Sequence, residues 1–451
     1  MGIFGAMTTA VSGLKAQSYA MENISGNIAN SRTTGFKRVD TSFVDLIPDT
    51  PRRRELAGSV ASFGQATNTV QGDLNTTGIG THMAINGAGF FTVQARTGVA
   101  GGVPTFDGAD VYTRRGDFTP DASGYLVNGA GYYLKGIQLD PVTQDLVGSQ
   151  SSVVRIDNSN LPARATTQLE YRANLPPRPA TNNYDASVPG SELLTVGAPT
   201  ISAAAEGPFL NETITGGAVS VYNASGARVD IQLRWGKTTD APPTWEAYYL
   251  SDSNAVGAAV KWTRVPGTFV FSNTPPTTGQ LVSSPAAPVT FTVNGTATSP
   301  ITIVTGGALG MTQFAQGAVN EGGNVSVNAL LQDGYASGEL VSVSVGEGGR
   351  LQGNYNNGQV VGLYQLSVAR FSNPDGLKRG DGGVFEQTLD SGPPVVEDIG
   401  RSIVGGAVEN SNTDIADEFA KMIVTQQAYS ANTRVISTSS DMLRDVINII
   451  R

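Results

Sequence analysis

The sequence predicts a mainly β protein with long α-helical termini. Its domains are nested and discontinuous, with paired, coiled-coil-like terminal helices plus two β domains. Three observations predict this. Apolar residues recur at helical spacing only at the two extreme ends of the 451 residues. Between the ends, short runs of strand-forming residues are punctuated by turns rich in glycine, of which there are 55. Charged residues make up only 15% of the chain, well under the roughly 25% usual for soluble domains, which favours turn-rich β structure.

The first helix carries Met7, Val11, Leu14, Met21, Ile24 and Ile28, spaced by threes, fours and one gap of seven at Ser18. This is one narrow apolar face. It stops abruptly in NIANSRTTGFKR, residues 27–38, a run of amides, threonines, a glycine and cations. The only basic cluster is Arg52-Arg53-Arg54, read as a solvated loop.

Strands and turns follow. AINGAGFFTV (84–93) has a hairpin signal at Asn86-Gly87. VYTRRGDFTPDASGYLVNGAGYYLKG (111–136) alternates strand formers with turns at Ala122-Ser123-Gly124 and Asn128-Gly129, and 340–371 repeats the pattern, with Val341, Val343 and Val345 on one strand face. Residues 175–330 interrupt these, beginning at the proline-rich PPRPATNNYDASVPGS and containing Trp235, Trp245 and Trp262. They read as a second β domain inserted into the first.

At the C-terminus Ile415, Met422, Tyr429, Ile436, Leu443 and Ile450 recur every seven residues, and Phe419, Gln426, Thr433, Ser440 and Ile447 follow four later. The pattern is a heptad seam. Asp414 is the expected N-cap, and a helix running to Arg451 has about 38 residues and is roughly 55 Å long. A lone amphipathic helix is marginal in water, so the terminal helices are expected to cover each other and to be held by something beyond the monomer.

Several function classes fall away. A net charge of −9 and a pI near 4.8 oppose nucleic-acid binding. Without cysteine there is no disulfide, thiolate metal site or cysteine nucleophile. No segment is long and apolar enough to span a bilayer. The start, MGIFGAMTTAVSGLKAQ, has no basic residue before Lys15, so export is not expected to use a cleaved signal. His82 is the sole histidine, and GAGYYL (129–134) has Leu134 where a dinucleotide loop needs glycine. The two RGD tripeptides, at 115–117 and 379–381, read as turns in a glycine-rich chain. Carboxylate pairs suited to glycoside hydrolysis depend on the fold, and nothing singles one out. No catalytic, cofactor-binding or metal residue is assigned, and no cofactor is expected.

Four stretches then converge on one resemblance. SGNIANSRTTGFKR resembles the NNIANxxTTGFK signature near the start of bacterial flagellar rod and hook proteins. GDLNTTGIGTHMAINGAGFF, YTRRGDFTPDASGYLVNGAGYYLKG and ARFSNPDGLKRGDGGVFEQTLDSG resemble later segments of that family, and SNTDIADEFAKMIVTQQAYSANTRVISTSSDMLRDVINI its closing helix. The likeness covers residues 1 to about 140 and 335–451. Ser25-Gly26 stands where a second asparagine is usual. Because distal rod subunits lack a large outer domain, the unmatched insert favours the hook branch of the family.

The resemblance implies a non-enzymatic subunit of a curved, hollow helical tube outside the cell, acting as a flexible universal joint between rod and filament. It implies a helical inner wall (1–30 and 410–451), a connector (31–72 and 395–409), a β domain (73–174 and 331–394) and an outer insert (175–330). The connector motif is Asn27, Ile28, Ala29, Asn30, Thr33, Thr34, Gly35, Phe36 and Lys37, with Gly35 permitting a turn, Phe36 anchoring on a neighbour, and Lys37 and Arg38 meeting acidic surface. The implied partners are further copies of the chain, the rod, the hook cap, the hook–filament junction proteins and the flagellar type III export apparatus, with no nucleic acid and no membrane insertion. The alternatives are a distal rod subunit or, in a different class, a secreted β-rich carbohydrate-active enzyme or adhesin.

Overall fold

The structure is a computed structural model that describes residues 3–46, 59–106, 108–157, 160–195, 197–315, 322–397 and 402–450. The Arg52-Arg53-Arg54 run and the side chain of Ile450 lie outside the described residues. The chain forms two compact units, Met1–Ser159 with Leu340–Arg451, and Asn160–Glu339.

In the first unit, helices span Ile3–Ala29 and Ile415–Ile450. Asp414 caps the second: its Oδ1 accepts the N–H of Ala416 at 2.8 Å and of Asp417 at 3.4 Å, satisfying donors that a helix start leaves free. The helices pack antiparallel. Asn27 meets Glu418 at 3.0 Å, and a Cβ on Gly13 would stand 2.9 Å from the Asn432 side chain.

Their contact line differs from the expected seam. Of the N-terminal set only Ile24 is buried. Val11 is exposed, while Met7, Leu14, Met21 and Ile28 are half-buried, and the buried line runs through Ala10, Ala16, Ala20, Ile24 and Asn27. Small side chains let the helices approach closely, so size as well as hydrophobicity decides which face turns inward. On the C-terminal helix Met422, Ile436 and Leu443 are half-buried, but Ile415, Phe419, Tyr429 and Ile447 are exposed. Glu418, Thr425 and Ser439 take the inner line instead, one residue before the second expected series, because inward positions on a heptad seam alternate by three and four.

The β part of this unit is a 13-stranded sheet containing, in order, 340–345, 350–355, 360–365, 132–138, 90–95, 111–113, 384–386 and 378–379. Tyr132–Gln138 pairs with Phe90–Ala95 on one side and Val360–Gln365 on the other, so strands from both sides of the second unit share one sheet. Met83, Phe91, Val93, Phe118, Leu126, Leu134, Leu351 and Val368 form its core. The turns at 122–124 and 128–129 close hairpins. Asn86-Gly87 does not, because Met83–Ile85 pairs with Ile403–Gly405 and the chain changes sheets at that turn. Val341 is exposed rather than in line with Val343 and Val345, because a register shift between Leu340 and Ser342 turns it outward.

The second unit contains a 7-stranded sheet (200–202, 260–264, 243–250, 228–240, 214–222, with 269–271 and 281–283) and a 4-stranded one built on Gln168–Asn174. Trp235 and Trp245 sit in its core and Trp262 in a smaller cluster beside Phe209. The buried Trp235 indole is not left unpaired: Nε1 donates to the Tyr171 hydroxyl at 2.9 Å, which donates to Gly216 O at 2.7 Å. The strand Gln168–Asn174 belongs here, whereas the sequence reading placed it with the first β region.

Candidate assembly site: connector and helical layer

The amides that end the N-terminal helix have structural partners. Asn27 is buried, its Oδ1 accepting the N–H of Val39 at 2.9 Å and its Nδ2 donating to Val39 O at 2.9 Å and to Glu418 Oε2 at 3.0 Å. One side chain thus copies a strand's pairing and ties the first helix to the second. Glu418, itself fully buried, also accepts Lys421 Nζ at 2.8 Å, which reaches Asp40 at 3.1 Å. Burial alone would lower the Lys421 pKa, but the two carboxylates hold it above its ordinary value.

The chain then turns at Gly35, where φ is +66° and an added Cβ would stand 2.7 Å from the backbone N of Arg115. Both the left-handed conformation and the close backbone approach require glycine. Gly35 N donates to Glu409 O at 2.7 Å, so the connector and the segment leading to the C-terminal helix are joined directly.

Lys37 turns inward here rather than toward an acidic surface. Its ammonium is buried 2.5 Å from Glu409 Oε1 and 2.6 Å from Val70 O. The other Glu409 oxygen takes Arg114 Nη1 at 3.1 Å, and Gly72 N donates to Oε1 at 2.9 Å. Arg114 continues to Gly87 O at 2.6 Å. Burial lowers the pKa of Lys37, with Glu409 pulling it up, and burial lowers Arg114 in the same way. Two cations on one carboxylate in a dry site cost heavily in desolvation, and the cluster holds because each charge has specific partners. Arg379 adds a clasp, donating to Lys37 O at 2.6 Å with its guanidinium 6.0 Å from the Phe36 ring centroid. Phe36 therefore packs under its own chain's arginine. Asn412 completes the joint, accepting Arg38 N at 2.7 Å.

Glu409, Arg114 and Asn412 were missed from sequence. A signal existed for two of them: Arg114 shares a strand face with the buried Tyr112, and Glu409 one with the buried Ala407. Charges on inward faces call for partners of opposite sign. The RGD at 115–117 is closed on itself, Arg115 forking onto Asp117 at 2.8 and 2.9 Å. His82 Nδ1 lies 3.0 Å from Thr77 Oγ1, a structural contact. GAGYYL is a hairpin turn, with Asn128 Oδ1 accepting the N–H groups of Ala130 and Tyr132.

Beside the joint, Ala20, Ile24, Val39, Phe43, Glu418 and Thr425 line an open recess of about 450 Å³. Outward from it the helices leave large apolar side chains uncovered. Phe4 is 73% exposed, Val424 65%, Ile447 61% and Ile423 55%.

A β body locked by buried ion pairs to two helices with bare apolar flanks defines a structural subunit made to be covered by others. The family descriptions that match agree along the chain: "Flagella basal body rod protein" at residues 7–37, "Flagellar hook protein FlgE/F/G D1 domain" at 84–167, "Flagellar basal body protein FlaE D2 domain" at 207–335 and "Flagellar basal body rod FlgEFG protein C-terminal" at 404–449. The flagellar hook protein FlgE of Brucella suis biovar 1 (strain 1330) is 28% identical over the whole of both chains. That of Escherichia coli (strain K12) is 29% identical over 98% of this chain and 100% of its own. The crystal structure of Helicobacter pylori flagellar hook protein FlgE2 matches 75% of this chain and 99% of its own at a TM-score of 0.50 and 13% identity, a likeness of fold. The chain belongs to the flagellar hook protein family: it is a structural subunit of the flagellar hook and not an enzyme. The carbohydrate-active enzyme is thereby set aside.

Proposed function

We propose that this chain assembles with copies of itself into a curved, hollow helical tube that works as a universal joint, outside the cell, between rod and filament. The terminal helices (1–30 and 410–451) form the inner wall as a coiled-coil-like strut. Residues 31–72 and 395–409 are the connector, 73–159 and 340–394 the β domain, and 160–339 the outer domain, the bounds 73–174, 331–394 and 175–330 expected from sequence being moved to the limits of the compact unit Asn160–Glu339. The observation that carries this reading is the uncovered apolar surface of the helices, from Phe4 to Ile447, because contiguous apolar surface marks a contact with another molecule. The ribbon of Val39–Leu46 and Ser59–Ala66 supports it, with Phe43 and Phe63 exposed. The expected assembly seam of Met7, Val11, Leu14, Met21, Ile24, Ile28, Ile415, Phe419, Met422, Tyr429, Ile436, Leu443, Ile447 and Ile450 is thereby joined by the outward Ile423 and Val424.

Bending requires outer contacts that slide while inner ones hold. The low charge of the chain suits weak, replaceable outer contacts, and the apolar helices suit the fixed layer. The rod, the hook cap, the hook–filament junction proteins and the type III export apparatus are the further partners of this reading, which has the chain exported unfolded. Negative-stain microscopy of the concentrated protein tests it. Hollow curved tubes are expected, and a protein that stays monomeric at every concentration overturns it.

A further inference from the structure

The β body of the first unit holds one apolar side chain wholly out in water. Leu389 is 101% exposed, on the turn that follows the strand Val384–Glu386. The turn itself is fixed. Thr388 N donates to Ser391 Oγ at 3.0 Å and Ser391 N to Thr388 Oγ1 at 3.1 Å, the Thr388 hydroxyl donates to Gly376 O at 2.6 Å, and Asn373 Nδ2 donates to Asp390 O at 3.2 Å. Ser391 is wholly buried. A single exposed leucine on a loose loop would mean little. Held on an ordered turn, it is a pre-organised anchor, because the entropy of ordering the tip is already lost before any partner arrives.

The same unit has a surface of matching character. Pro120, Ala122, Ile156, Leu340, Val341 and Val343 line much of an open recess of about 320 Å³, where Val341 is 68% exposed. The recess borders the strand 340–345, which begins the strand order of the 13-stranded sheet, whereas Leu389 follows 384–386, next to last in that order. Leu389 touches no part of its own chain's recess, so only another copy's leucine is left to fill it. Two different patches that mate between copies make a head-to-tail contact, which repeats into a ring or an open helical filament, whereas a contact of like patches stops at a dimer. Charge agrees with this pairing. Asp390 is exposed beside Leu389, and Arg155 is exposed next to Ile156 at the rim, its guanidinium 5.6 Å from the Tyr125 ring centroid. The carboxylate on the recess wall, Asp121, is turned to its own hairpin, its Oδ1 accepting the N–H groups of Ser123 and Tyr125 at 2.8 and 2.9 Å.

We propose that Leu389 of one copy docks in the recess beside Leu340–Val345 of the next, with Asp390 facing Arg155. The contact rests on the self-assembly proposed above and gives it a surface on the β body, apart from the helices.

Because the chain has no cysteine, introduced thiols report this contact without background. In tubes of a Leu389→Cys, Val341→Cys double variant, a short bismaleimide should join copy to copy and give a ladder of covalent multimers on denaturing electrophoresis. Either single variant has one thiol and should go no further than a dimer. Leu389→Ala removes no contact within the monomer, so its circular dichroism and unfolding midpoints should be unchanged, while the concentration needed for tubes rises about tenfold or more. Tubes of the double variant that yield no ladder overturn the docking and leave self-assembly standing. So does Leu389→Ala assembling at the same concentration as the native chain. A native chain that forms no polymer at any concentration overturns both.

Discussion

Glu409 is the residue on which the connector turns, since Lys37, Arg114 and the N–H of Gly72 all converge on its two oxygens. Glu409→Gln leaves two buried cations facing a neutral amide, and should destabilise the first unit by about 3–5 kcal/mol. The chain carries its own reporters for the test. Both long helices belong to the first unit, so far-UV circular dichroism follows it, whereas Trp235, Trp245 and Trp262 all belong to the second. The helical signal should be lost at lower denaturant while the fluorescence transition stays in place. A fluorescence midpoint that moves equally would show that the two units do not unfold separately. The Gly35 turn explains why a glycine stands among the amides and threonines: the Arg115 backbone lies too close for any side chain.

The terminal helices carry apolar residues of two kinds, and substitutions should separate them. Ile436 is half-buried on the C-terminal helix, which packs against the N-terminal one, so Ile436→Glu should loosen the helix pair within the monomer. Ile423 is more than half exposed, so Ile423→Asp should leave the monomer's circular dichroism unchanged and abolish tubes, removing about 1.5–3 kcal/mol of apolar burial per subunit and adding carboxylate desolvation. Ser437→Glu, also exposed on the same helix, serves as the control and should still assemble. Normal tubes from Ile423→Asp would sink the outward seam.

In the second unit, the turn after Ser326–Gln332 hangs on Asp333, which accepts the N–H groups of Thr167 and Gln168 at 2.8 and 2.9 Å and the Thr167 hydroxyl at 2.6 Å. Burial raises its pKa, but these bonds outweigh burial and hold the carboxyl below its ordinary value. A depressed carboxylate stabilises the fold above its unfolded pKa, about 3.9, and that contribution is lost as pH falls through the lower folded value. The tryptophan-fluorescence midpoint in urea should therefore fall on acidification below about pH 4, and less steeply in Asp333→Asn. Identical profiles for the two proteins would remove Asp333 from the account.

At the scale of the whole molecule, the chain enters and leaves the second unit side by side. Leu161 N donates to Gly338 O at 2.8 Å, and Arg164 pairs with Tyr335. Replacing 160–339 by a short flexible linker therefore asks little of the first unit, whose sheet is built from strands on both sides of the excision. The shortened chain should fold, keep its helical signal and still form tubes, with altered curvature or bending. A folded variant that forms no polymer would show that the second unit is needed for assembly itself.

Composition and periodicity by themselves determined the class of element at each place: helices at the ends, strands and turns between, a tryptophan-bearing insert, and Asp414 as a cap. These depend on local propensity and on residues a few positions apart, which a sequence displays directly. The connector motif was visible as a resemblance, but the partners of its residues were not. Lys37 finds Glu409 and Asn27 finds Glu418 across hundreds of residues, and Gly35 passes beneath the backbone of Arg115, far along the chain. Only the tertiary structure decided those pairings. It also chose the alanine line over Met7, Val11, Leu14 and Met21 as the inner face of the helix pair, because close approach depends on the shape of both surfaces and a one-chain periodicity records only one.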